Sequence, residues 1–124
     1  MTLKISQRSG RSASRWTSFV RGDLYRMRAP SNAAGHEQKG ARYAVVLQAD
    51  ALTALSTWIV APTSTSAPGR PFRPEIEMNG TKTRVVLDQL TAVDRDRLGD
   101  FAGRVDAHEM EHIDTALRGA LGLF

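Results

Sequence analysis

The chain contains no cysteine. That absence removes disulfides, thiolate metal sites and a cysteine nucleophile, and it is compatible with a reducing cytosol. Long apolar runs are missing as well. The longest, Tyr43 to Leu47 and Trp58 to Pro62, fall far below the roughly 20 residues that span a bilayer, so no membrane crossing is expected. The first 21 residues hold no acid, and their arginines (Arg8, Arg11, Arg15) stand among serines with no apolar stretch behind them. A secretory leader is therefore not expected, and a cytoplasmic location is.

What remains is enough for one folded unit. A chain of 124 residues buries about 65–70 % of its unfolded surface and sustains a single core without staples. The net charge of +4 is distributed unevenly. Met1 to Arg21 carry five cations and no acid, Gly22 to Arg84 eight cations against five acids, and Val85 to Phe124 four against eight. A polyanion is drawn to the first two thirds of such a chain, with salt-sensitive binding through counterion release.

The order of local signals suggests a flexible basic arm over 1–19 and a single domain over 20–124. Within the domain, GDLYRMRA alternates as a strand with Tyr25 and Met27 facing inward. YAVVLQ and TWIVAP read as buried strands rich in β-branched residues. TSTSAPGRP, from Thr63 to Pro71, reads as a loop because two prolines and a glycine break it. Alternation resumes from Phe72 to Met78, Asn79-Gly80 is a strong hairpin signal, and Thr81 to Asp88 returns as the next strand, with Gln89 to Val93 as its continuation. Short strands joined by tight turns favour a closed or half-closed barrel, which removes exposed edges. At the C-terminal end the period changes. Asp106 and Glu109 make a capping-box start, Met110, Ile113, Ala116, Leu117, Ala120 and Leu121 form one helical stripe, and Gly122 stops it.

The stretch with the densest chemistry is GHEQKGAR, Gly35 to Arg42. Its glycines permit close backbone approach to a ligand, and between them lie an imidazole, a carboxylate, an amide and two cations. Such a set suits a polar, anionic substrate.

Three segments in order, RGDLY, GHEQKGARYAVVLQ and VVLDQLTAVD, resemble the MazF/PemK/Kid family of toxin endoribonucleases. From Arg21 to Leu123 the chain follows the family sequence of a Gly-Asp first strand, a G-[SH]-E-Q-x-G-x-R loop, a V-P-x-T-[ST] segment (VAPTST here), an acidic-Gln strand and a last helix. The resemblance implies an SH3-like small β-barrel with a C-terminal helix, as in MazF, Kid and CcdB. It also implies a homodimer, metal-independent cleavage of single-stranded RNA, and a cognate antitoxin that blocks the site with an acidic C-terminal segment. No cofactor and no metal are implied.

Cleavage without a metal means activating a ribose 2′-OH, stabilising a five-coordinate phosphorus and protonating the departing 5′-oxygen. Arg42 occupies the family's arginine position, and its planar guanidinium matches phosphate oxygens bidentately. Tyr43 stands where a proline usually follows. His36 aligns with a histidine implicated in catalysis in Kid and PemK, and near its ordinary pKa it can move a proton at neutral pH. Glu37 is a base or an orienting group for Arg42, Gln38 binds substrate or holds the loop, and Lys39 guides the polyanion in. Thr63 and Ser64 align with the hydroxyl pair that contacts the scissile phosphate, Thr63 being the first choice. Asp88 aligns with the aspartate proposed as base in Kid, but Val86 replaces the arginine that serves there as acid, so Asp88 stands either as catalytic or, as in the MazF branch, as structural or substrate-positioning. Arg84, two residues further back on the same strand face, is a substrate-binding candidate. His108 and His112, four apart on the last helix, offer two metal ligands with no obvious third.

Two other functions stand beside the nuclease. A CcdB-like topoisomerase poison fits the same barrel, although that family depends on a C-terminal tryptophan and this chain ends LGLF. A non-catalytic RNA-binding barrel fits the basic front.

Overall fold

A computed structural model describes residues 20–28 and 42–123. The strands are β1 (Asp23–Met27), β2 (Arg42–Val46), β3 (Thr57–Ser64), β4 (Glu75–Met78), β5 (Thr81–Val85), β6 (Thr91–Asp94) and β7 (Leu98–Arg104), followed by helix α1 (Ala107–Leu121). They form one antiparallel sheet in the order β4-β5-β3-β2-β1-β7, with β6 added beside β3. The sheet curls into a half-barrel with the helix at its C-terminal end, so the small-barrel expectation holds.

Period-two alternation sends successive residues of the central strands to two different cores. Leu24 pairs with Val45 and Val45 with Ala61. That row joins Ile76, Val85, Val105 and the helix residue Ile113 in one buried cluster. The neighbouring row, Tyr25 and Ala44, joins Val46, Trp58, Val60, Val93 and Leu98 in the other. Both faces of β2 are thus covered, which is why YAVVLQ reads as an unbroken apolar run. It also revises the reading of β1: Tyr25 faces inward as expected, but Leu24 is buried on the opposite side, and Met27 is only half-buried.

Asp23 ties the first and last strands together. Its carboxylate is fully buried and accepts from Arg104 Nε at 2.8 Å, the Tyr25 hydroxyl at 3.2 Å and Val20 N at 3.0 Å. A buried carboxylate requires such partners, because desolvation alone would neutralise it.

Three further expectations change. β3 runs through Thr63 and Ser64, so the polar loop begins after them. β5 stops at Val85, and a 3-10 turn at Leu87–Gln89 lets the chain leave it; β6 then pairs with β3 instead of prolonging β5. β7 has no counterpart in the sequence reading. Its segment, LGDFAGR, carries two glycines and an acid, and it is a strand because β1 supplies hydrogen bonds along it, with a register shift on either side of Tyr25.

The helix begins and ends where the sequence indicates. Asp106 accepts from Glu109 N at 2.7 Å while Glu109 Oε1 accepts from Asp106 N at 2.9 Å, a complete capping box. Gly122 closes the helix in the left-handed region at φ 72°. Glu109 has a second task, since its Oε2 accepts from Glu77 N at 2.9 Å on the edge strand β4.

Candidate active site

The strand register decides which functional groups meet. β2 and β3 pair with Ala44 opposite Pro62, and continuing that register by two residues sets Arg42, at the start of β2, across from Ser64, at the end of β3. β5 lies on the other side of β3, with Thr63 opposite Val85 and Ser64 opposite Arg84. The β4–β5 hairpin then folds over the same end of the sheet. Asn79 and Gly80 hold its turn at φ 53° and 80°, the left-handed pair that a two-residue hairpin needs.

These elements enclose a cleft of about 500 Å³. Arg42 and Tyr43 line it from β2, Thr63 and Ser64 from β3, Thr65 and Ser66 from the loop beyond, and Met78, Asn79, Thr81 and Thr83 from the hairpin. Arg42 is the one charged side chain among these residues, so the described lining is hydroxyl-rich with a single guanidinium. Among the described residues no carboxylate forms an ion pair with Arg42. A guanidinium beside hydroxyl donors is suited to an anion with several oxygens.

The two hydroxyls suggested by sequence play different roles. Ser64 Oγ accepts from Ser66 N at 3.2 Å and Ala67 N at 3.1 Å, which shapes the turn that carries Thr65 and Ser66 into the cleft. Thr63 is buried, and its hydroxyl donates to Tyr43 O at 3.3 Å. That length is at the weak end for an O–H donor, so a better acceptor such as a phosphate oxygen can take its place.

Arg84 and Asp88 do not join this group. Arg84 Nη1 donates to Arg73 O at 2.8 Å, and Nη2 lies 3.4 Å from Glu75 Oε1. A Cβ on Gly69 would meet Nη2 at 3.2 Å, so the loop passes directly over the guanidinium. Asp88 is gripped by Arg73, through Nε at 3.1 Å and Nη2 at 3.0 Å, and lines a separate hollow with Phe72, Leu87, Leu90, Ala120 and Leu121. The hydrogen bonds from Arg73 hold the Asp88 carboxyl below its ordinary range and raise the Arg73 guanidinium. Arg73 also donates to Pro68 O at 3.3 Å, so the Asp88 pair and Arg84 brace the loop that leads away from Ser64.

His36, Glu37, Gln38 and Lys39 lie outside the described residues, as does the basic arm over 1–19. His108 and His112 place their rings 4.4 Å apart on an exposed helix face, remote in sequence from every residue of the cleft. Sequence reasoning missed the hairpin wall. Asn79 was legible only as a turn residue and Tyr43 only as a substitution at a proline position, and nothing in the chain marks Arg73 as the partner of a residue 15 positions away.

A curled half-barrel with a guanidinium and a row of hydroxyls in an end cleft defines a small β-barrel with a candidate anion-binding site. Residues 20–121 match the model of the PemK-like, MazF-like toxins of type II toxin–antitoxin systems. The chain belongs to that family. It is 40 % identical over 105 residues to the candidate toxin Rv3098A of Mycobacterium tuberculosis strain H37Rv, covering 84 % of this chain and 98 % of that one. Among solved structures it resembles MazF from Deinococcus radiodurans, with a TM-score of 0.67 at 26 % identity over 84 % of this chain and 96 % of the other. It also resembles the same organism's MazE-MazF structure, with a TM-score of 0.70 at 25 % identity over 86 % and 97 %. A mycobacterial endoribonuclease in complex with its cognate antitoxin shares the fold, with a TM-score of 0.70 at 24 % identity over 86 % of this chain and 98 % of that one.

Proposed function

We propose that this toxin is an endoribonuclease that cuts single-stranded RNA without a metal, leaving 2′,3′-cyclic phosphate and 5′-hydroxyl ends. The observation that carries the reading is the meeting of Arg42 with Thr63 and Ser64 in one cleft whose described lining holds no carboxylate. A guanidinium next to hydroxyl donors stabilises charge developing on a phosphoryl group, and stabilisation of that kind is usually the largest catalytic term.

In this reading the 2′-oxygen of one ribose attacks the adjacent phosphorus. Arg42 takes the two non-bridging oxygens as their charge grows, and Thr63 exchanges its weak bond to Tyr43 O for one of them. Ser64 keeps the turn in place. His36 and Glu37, on the segment leading into Arg42, are the proposed proton-transfer pair, with Gln38 and Lys39 binding substrate beside them. Asp88 and Arg84 act on the shape of the loop.

The partners follow from the same chemistry. An acidic C-terminal segment of an antitoxin competes for the cation that binds phosphate, and the related structures include MazE-MazF of Deinococcus radiodurans and a mycobacterial endoribonuclease with its cognate antitoxin. A homodimer and a cytoplasmic site of action complete the proposal. Among the described residues no helix is long and apolar enough to cross a membrane.

The test is incubation of the purified protein with long RNA in excess EDTA, followed by end-group analysis. A few discrete cuts with cyclic-phosphate ends are expected. Cleavage that appears only with added Mg²⁺ would sink the metal-free mechanism.

A further inference from the structure

The cleft is more than a phosphate site. Arg42 and the hydroxyls occupy one side of it, and the other side has a different character. Tyr43 presents a half-buried ring that has no aromatic partner among the described residues. Met78 is half-buried against the first core cluster and gives an apolar patch. Thr83 is buried and Thr81 exposed, each with a hydroxyl. Asn79 stands at the tip of the hairpin with its side-chain amide unpaired among the described residues. A phosphate needs none of this. A flat aromatic ligand with a polar edge needs all of it: a face to stack on, an apolar neighbour, and donors and acceptors at the rim.

Resting on the endoribonuclease reading above, we infer that Tyr43 and the Asn79-Gly80 hairpin form a nucleobase pocket next to the scissile phosphate, with the Tyr43 ring as stacking face and the Asn79 amide reading the base edge. The amide offers one acceptor and one donor side by side. The matching edge carries a donor next to an acceptor, and the shape of the pocket between Tyr43 and the hairpin decides which base presents it there. The backbone makes the assignment economical. Tyr43 lines the same cleft as Arg42, so the stacking face and the phosphate-binding cation share one hollow. Asn79 is fixed in the left-handed turn region at φ 53°, so its amide is held at the rim without requiring a long ordered loop. Thr81 and Thr83 hydroxyls act as donors or acceptors and add contact without choosing a base.

The turn also supplies clean variants. Gly-Gly and Asp-Gly both support a two-residue hairpin, so Asn79→Gly and Asn79→Asp remove or alter the amide without unfolding β4 and β5. Cut sites of the full-length protein are mapped on a pool of long RNAs for the wild type and both variants, and kinetics are measured on the best short oligonucleotide. One motif position is expected to be restricted in base in the wild type, and to lose that preference by about tenfold or more in Asn79→Gly. Tyr43→Ala is expected to raise KM roughly 10–100-fold with kcat nearly kept, and Tyr43→Phe to restore it. An unchanged motif in both Asn79 variants overturns the pocket, as does a Tyr43→Ala loss confined to kcat. A wild type that cuts no RNA refutes the nuclease reading instead. The pocket is then judged by binding of oligo(rA), oligo(rC), oligo(rG) and oligo(rU). Tighter binding of one of the four that Asn79→Gly erases supports it, and equal binding of all four by the wild type, or a preference that Asn79→Gly leaves intact, overturns it.

Discussion

Arg73 holds Asp88 with two nitrogens, Nε 3.1 Å from one carboxylate oxygen and Nη2 3.0 Å from the other, and Asp88 lines a hollow separate from the cleft of Arg42. Both acceptor oxygens are engaged, and the carboxyl titrates below its usual range because of those bonds. A carboxylate so placed is a brace and a poor proton acceptor. Asp88→Asn is therefore expected to keep RNA cleavage within about tenfold, whereas removal of a general base costs roughly 10²–10⁴-fold. A larger loss in kcat at unchanged fold would return Asp88 to the chemistry.

The same pair predicts a pH dependence. The folded-state pKa of Asp88 is depressed, so its contribution to stability is fully present above the unfolded value of about 3.9 and disappears as pH falls through the lower folded value. The difference in Tm between wild type and Asp88→Asn should be constant above about pH 5 and shrink below about pH 4. A difference that stays constant down to pH 2 would mean that the pair carries no proton linkage.

Arg42→Ala is expected to lower kcat roughly 10²–10³-fold or more, the cost of losing one group that stabilises developing charge. Arg42 is half-exposed at the start of β2, so the Tm should hardly move. Arg42→Lys keeps the charge and loses the planar fork, and recovers only part of the rate. Full activity in Arg42→Ala would reassign the cation.

Thr63 and Ser64 should separate kinetically. Thr63→Val removes a hydroxyl at nearly constant volume and is expected to lower kcat with little change in KM. Ser64→Ala strips the acceptor that Ser66 N and Ala67 N share, so it loosens the turn, raises KM and lowers Tm. Identical effects from the two substitutions would show that they act through one common contact.

Away from the site, Asp23→Ala leaves Arg104 without its partner and the Tyr25 hydroxyl without an acceptor that it uses. Removing one member of a buried pair costs about 3–5 kcal/mol, measurable as a lower urea midpoint at constant slope. A loss under about 1 kcal/mol would show that solvent screens the pair.

Local signals in the chain map onto the structure with uneven success, and the pattern has a cause. Asp106, Glu109 and Gly122 mark the helix because caps are short-range devices, satisfied within a few residues. Asn79-Gly80 marks the hairpin for the same reason. β7 was invisible because its glycines and Asp100 give no alternation, and its pairing with β1 spans most of the chain. The end of β5 was misjudged because VVLDQL continues as an apolar run through the 3-10 turn at Leu87–Gln89. At the site, Arg42, Thr63 and Ser64 are visible as residue types in a familiar order, whereas sequence leaves Asp88 either catalytic or structural, and only its bonds to Arg73 put it in the loop brace.

The sequence by itself determined the helix and its ends, the hairpin turn, the apolar strands, the family and the identity of the cation at the cleft. Each of these rests on residue type or on neighbours a few positions apart. Only the tertiary structure decided which groups share a cavity. Register across β2, β3 and β5 brings Arg42, Thr63 and Ser64 to one end of the sheet, folds Asn79 over them, and turns Arg84 and Asp88 toward the loop at Arg73. In a sheet a shift of one residue moves every side chain to the other face. That choice is made by strand pairing between distant segments, and no local stretch of the chain contains it.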